Sequence, residues 1–142
     1  MSGSGRDQAE LRQELLDYHQ AFVDAHIDNR PAFMVQDLAE DYINVSRGDL
    51  LRQTKEEILE MFTAYLGSTT FTEYRVIEEP TLGFSKDRSV AWSIFRLKVA
   101  GTRVVEDGED VTFDTIWGCL VLFERRGDRW VRIAEASNHK PG

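Results

Sequence analysis

The sequence predicts an α+β fold in which three N-terminal helices pack on a strongly curved, mostly antiparallel sheet. Two observations predict it. Apolar residues recur every three or four positions through most of the first half, then alternate through the second half. In that second half, turn signals separate one long alternating run from the next with no helical stretch between them, the pattern of a meander.

The elements follow in order. Residues 1–5 are small and polar and read as a flexible leader, leaving residues 6–142 as a single domain. From Arg6 to about Asn29, Leu11, Leu15, Tyr18, Phe22 and Ala25 or His26 make one apolar face; Arg12, Gln13, Asp17, Gln20 and Asp24 oppose it. Pro31 suits the first turn of a second helix reaching about Glu40. Asp41 to Ser46 is β-branched and aromatic, hence a strand; Arg47-Gly48-Asp49 turns it, and Leu50 to Gln53 pairs back. Thr54 and Glu57 form a capping box, opening a third helix to Leu66 with Ile58, Leu59, Phe62 and Leu66 on its buried side. The remaining strands are Phe71 to Glu79, Ser89 to Val99, Val111 to Glu124 and Arg129 to about Ser137, with Pro80, Lys86-Asp87, Glu106 to Asp110 and Gly127-Asp128 between them.

Composition narrows the function classes. The chain has 142 residues and a net charge of −8, an acidic balance that disfavours nonspecific nucleic-acid binding. No apolar run approaches the roughly 20 residues that cross a bilayer, and the start lacks a signal-peptide core, so neither membrane nor export is expected and a cytoplasmic location is. The single cysteine, Cys119, cannot form an internal disulfide; it sits in an apolar strand, as a small hydrophobe would. His19 and His26 are seven positions apart, about 10 Å along a helix axis, too far to share one metal ion. No metal and no cofactor are expected.

The helix ending His26-Ile-Asp-Asn-Arg-Pro31, the run Leu38-Ala-Glu-Asp-Tyr-Ile-Asn44, the helix start Thr54-Lys-Glu-Glu-Ile58, and the tail from Thr115-Ile-Trp-Gly through Glu124-Arg-Arg-Gly-Asp-Arg-Trp130-Val-Arg-Ile133 carry a resemblance. Together they resemble the NTF2-like superfamily, in particular its SnoaL-like (DUF4440-type) members, over about Leu11 to His139. The resemblance implies a cone: helices close the open end of a bent sheet, a pocket lies between the first helix and the concave face, and the convex face commonly makes a homodimer. The residues that ketosteroid isomerase-like members use fall on Phe22, Ser46 and Cys119, so that activity is not expected.

Alignment with the family places Phe113, Thr115, Trp117, Cys119, Val121 and Phe123 inside on one strand, and Ala91, Ser93, Phe95 and Leu97 inside on the strand before it. It places Val131, Ile133, Glu135, Ser137 and His139 inside on the last strand, and Tyr42, Asn44 and Ser46 inside on the first. The expected ligand-binding residues are Phe22, His26, Tyr42, Asn44, Ser46, Phe95, Trp117, Cys119 and Glu135. Among them His26, Tyr42 and Glu135 are the acid–base candidates, because a carboxylate is costly to bury without a partner and these groups could exchange protons. Trp92, Ile94, Ile116, Leu120 and Leu122 then face outward, where a second copy of the chain is the simplest cover. The expected function is binding of an unidentified small, apolar molecule, with acid–base catalysis of isomerase, cyclase or hydrolase type as its extension. The alternative is a noncatalytic homodimeric association or ligand-carrier module.

Overall fold

The computed structural model describes residues 7–106 and 108–142; the expected leader and Asp107 of the acidic loop lie outside the described residues. Helix α1 spans Gln8–Ile27, with Asp7 as N-cap accepting from the Glu10 amide at 2.8 Å. Helix α2 spans Phe33–Gln36, and α3 spans Lys55–Gly67. Both halves of the capping box form at α3: Glu57 N donates to Thr54 Oγ1 at 3.1 Å and Thr54 N to Glu57 Oε1 at 3.0 Å. The strands are β1 (Leu38–Ser46), β2 (Asp49–Leu51), β3 (Thr69–Val76), β4 (Thr81–Phe84), β5 (Val90–Val104), β6 (Asp110–Arg126) and β7 (Arg129–Pro141).

These strands make one sheet in the order β2-β1-β7-β6-β5-β3, with β4 also paired to β5. Among the described residues, the β1–β7 pairing alone is parallel. The helices pack on its inner face. Leu11, Leu15 and Val23 of α1 meet Ala91, Phe95, Leu97 and Val99 of β5 and Cys119, Val121 and Phe123 of β6 in the main core. Smaller clusters join α1, α2 and α3 through Ala25, Met34 and Leu66, and β1 to α3 through Leu38, Tyr42 and Ile58. The α+β class read from the sequence is the class observed.

A strand, β4, forms where Pro80 and Gly83 suggest an interruption, and β5 runs to Val104 instead of Val99. Two further departures shape the site. The second helix ends four residues early, and β1 begins at Leu38 instead of Asp41. The cause is tertiary: the Arg132 amide donates to the Asp37 carbonyl at 2.7 Å and Leu38 pairs with Arg132, so β7 draws this segment into the sheet. The second departure is a β-bulge. Leu122 pairs with Ala134 but Phe123 pairs with Arg132, leaving Ile133 as an extra residue. The side-chain phase of β7 therefore changes at that point. Glu135 shares the inner face with Val121, as expected; Arg132 shares it with Phe123, and Val131 pairs instead with Glu124. By register the inward placement of Val131 is thus corrected, since one inserted residue shifts the strand beyond it: Arg132 takes the inner position beside Phe123, and Val131, though only 2% exposed, pairs with Glu124.

Candidate functional site

A cavity of about 160 Å³ lies between β1, β7 and the helices. Phe22, Met34, Leu38, Ile58, Met61 and Phe62 form its apolar wall. Tyr42 and Asn44 from β1, Arg132, Glu135 and Ser137 from β7, and Gln53 ahead of α3 form its polar wall. The polar wall exists because β1 and β7 are register partners, with Asn44 opposite Glu135 in the parallel pair.

Arg132 is the centre of this wall and is 4% exposed. Its Nη1 donates to Glu135 Oε1 at 3.2 Å and its Nη2 to the Met34 carbonyl. The guanidinium also lies over the rings of Phe22 and Tyr42, 5.5 and 5.9 Å from their centroids. Burial alone would lower its pKa, but Tyr18, Glu135, Tyr42 and Asp37 more than offset that, so the guanidinium stays a cation. The Tyr42 hydroxyl donates to the same Glu135 oxygen at 2.8 Å. Burial and the adjacent carboxylate hold the Tyr42 hydroxyl well above the usual phenol range. Both bonds fall on Oε1, and no donor among the described residues engages Oε2. Asn44 Oδ1, the Arg132 Nε and the Tyr18 hydroxyl are buried without hydrogen-bond partners. Burial pushes the Tyr18 phenol up to about 12.

The structure gathers some of the expected residues here and distributes others elsewhere. Phe22, Tyr42, Asn44 and Glu135 line the cavity. His26 does not: its Nδ1 pairs with the Phe22 carbonyl at 2.9 Å and its ring stacks on Tyr74 with centroids 4.3 Å apart. Burial depresses its pKa to about 4. His26 is thus outside the lining that holds Tyr42 and Glu135, its imidazole engaged by the i−4 carbonyl and Tyr74, with the Arg132 charge close enough to act on it. Phe95 and Cys119 belong to the main core, and burial pushes the Cys119 thiol up to about 12, which leaves it protonated and inert. Trp117 packs at the edge of that core with its indole against the exposed His139, centroids 4.4 Å apart, and donates to Thr115 Oγ1 at 3.1 Å. Ser46 pairs with Asp49 at the end of β1, away from the cavity lining.

Arg132 is the residue that sequence reasoning missed. Plain alternation from Glu135 assigns it to the outer face, and nothing local announces the bulge that turns it inward. One signal was available: an inward carboxylate needs a counter-charge, and Arg132 is the nearest cation along the strand. His19, set aside as half of an implausible metal pair, is buried and bonded through Nε2 to Ser93 Oγ at 2.5 Å. Burial lowers its pKa to about 4 as well. Among the described residues, no three His, Cys, Asp or Glu side chains gather in a way that could hold a metal ion. No helix there is long and apolar enough to cross a membrane.

The sequence matches no family model and no curated protein. Solved structures do resemble it. An NTF2-like protein from Cytophaga hutchinsonii superposes with a TM-score of 0.71 at 15% identity, covering 95% of this chain and 100% of that one. A nuclear transport factor 2 (NTF2-like) superfamily protein from Salmonella enterica gives 0.70 at 11%, covering 96% and 94%. A protein from Exiguobacterium sibiricum, named provisionally as a calcium/calmodulin-dependent kinase II association domain, gives 0.69 at 11%, covering 97% and 98%. With helices on the inner face of one bent sheet and full-length superposition on these structures, the chain has the NTF2-like fold.

Proposed function

We propose that residues 6–142 act as one SnoaL-like domain that binds a small molecule in this cavity, with Glu135 as the acceptor for its polar group. The observation that carries the reading is the asymmetry of the Glu135 carboxylate. Arg132 and Tyr42 both hold Oε1, which orients the group, while its register partner Asn44 carries a buried, unpartnered amide oxygen. An oriented carboxylate against an apolar wall is also the equipment of a general base. Acid–base chemistry on a bound, largely apolar molecule is the catalytic extension of this reading, with Tyr42 as the positioning partner. A cytoplasmic setting accords with the lone buried cysteine.

Native mass spectrometry of the freshly purified protein tests it. The expected result is a bound small molecule that Glu135→Gln loses while its melting transition stays cooperative. Retention of the compound by the variant overturns the role of Glu135.

A second reading has its own observation. Ile94 and Leu120 are 49% and 40% exposed and are register partners on the outer face of the sheet. Trp92 and Leu122 form the next apolar pair along it. We infer that this strip, with Ile116, joins two copies of the chain. A homodimer is compatible with either a ligand site or a purely associative role. The provisional name of the Exiguobacterium structure favours association only for that protein, so the cavity remains the basis of the first reading.

A further inference from the structure

Taking the cavity as a ligand site, we propose that it selects a compact, uncharged molecule with an aromatic or aliphatic body and a head that both donates and accepts hydrogen bonds, a primary carboxamide being the best match. Three observations converge on that class. The first is size. A volume of about 160 Å³ is close to the ~150 Å³ of an engineered cavity that accepts benzene, and well below the 300–1,000 Å³ of typical drug-sized pockets. The occupant is therefore a single ring or its aliphatic equivalent with a small substituent.

The second is charge. Arg132 and Glu135 sit on the same wall and neutralise one another through Nη1 and Oε1. A ligand carboxylate that approached the guanidinium would also meet the Glu135 carboxylate. An ammonium that approached Glu135 would meet a guanidinium that is buried and cannot be screened by solvent. Either ion leaves one charge of the pair uncompensated in a low-dielectric site, whereas a neutral ligand leaves the pair intact. The negative charge of the whole chain adds a further penalty for anions.

The third is polarity. The buried groups without protein partners that adjoin the cavity on β1 and β7 are one acceptor, Asn44 Oδ1, and one donor, Arg132 Nε, and both bonds to the Glu135 carboxylate fall on Oε1. Asn44 is the cross-strand register partner of Glu135, which is itself bonded to Arg132. A carboxamide head offers an N–H to Asn44 Oδ1 and a carbonyl oxygen to Arg132 Nε. Phe62, Ile58 and Leu38 across the cavity offer no polar group to such a ligand and suit its body.

Four probes of nearly equal size separate the possibilities: benzamide, benzoate, benzylammonium and toluene. Each is titrated at pH 7.5 and followed by amide resonances of β1 and β7. The expected result is that benzamide binds at least about tenfold more tightly than the other three. Asn44→Leu is expected to erase that advantage while toluene binding persists, which shows that the variant is folded and its cavity intact. Benzoate or benzylammonium binding as tightly as benzamide overturns the assignment of ligand class, yet leaves the cavity standing as a ligand site. Toluene binding alone does the same. Silence of all four probes overturns both the class and the ligand-site reading.

Discussion

Glu135 and Arg132 show how much of this site rests on single residues. Removing one member of a buried ion pair strands the other, typically at about 3–5 kcal/mol, whereas replacing both by apolar groups is often neutral. Glu135→Leu is therefore expected to destabilise the fold by about 3 kcal/mol by leaving Arg132 unpaired. Adding Arg132→Met should recover most of that loss. Urea unfolding of the two variants checks this, and equal destabilisation in both would mean that the pair is not what holds the wall. The histidines make a second residue-scale prediction. Both His19 and His26 are held near pKa 4 by burial, below the ordinary 6.5. The unfolded chain therefore binds more protons between those values, so their contribution is complete above about pH 6.5 and is lost as pH falls toward 4. Thermal melting across that window should show stability declining with acidity, and His19→Gln with His26→Gln should flatten the profile. Cys119 was legible from sequence as a plain core residue, and its raised pKa agrees. His26 was not legible as one. Its periodic position on α1 put it on the correct helix face, but which neighbour would capture the imidazole depended on where Tyr74 came to lie.

At the scale of elements, close approaches between strands set limits that sequence spacing does not reveal. A Cβ at Gly101 would collide with the Thr70 carbonyl of β3, which is backbone and cannot swing aside. A Cβ at Gly83 would collide with the Trp92 indole, which can rotate outward. Gly101→Ala is accordingly expected to cost about 1–3 kcal/mol. Gly83→Ala should cost less and instead shift tryptophan fluorescence as the indole moves into solvent. Equal melting temperatures for the two variants would contradict this. The existence of β5 and β6 as long strands was readable because long alternation is a strong, local signal, although β5 runs five residues past its expected end, to Val104. The start of β1 was not, because Leu38 joins the sheet through contacts with β7, nearly a hundred residues away in the chain. The bulge at Ile133 belongs to the same class: it is a property of the β6–β7 pairing and has no signature in β7 alone.

For the whole molecule, the open question posed by the fold is what covers the outer face. The proposed homodimer predicts a sedimentation coefficient of two chains at micromolar concentration. Leu120→Lys, which places a charge at the centre of the strip, should shift it to one chain without lowering the melting temperature by more than about 0.5 kcal/mol equivalent, as expected for an exposed site. A monomeric parent protein would remove the dimer from consideration and leave the cavity reading unaffected.

The residue pattern by itself determined the class of fold, the capping box of α3 and the alternation of β5 and β6, because each depends on periods and neighbours a few positions apart, whereas the face assigned to Tyr42, Asn44 and Glu135 came from the family resemblance. Tertiary structure alone decided that Arg132 faces the cavity, that His26 does not, and that the hollow is small and charge-balanced. Those outcomes depend on how distant strands register against one another, and a single extra residue in that register is enough to exchange one side chain for its neighbour.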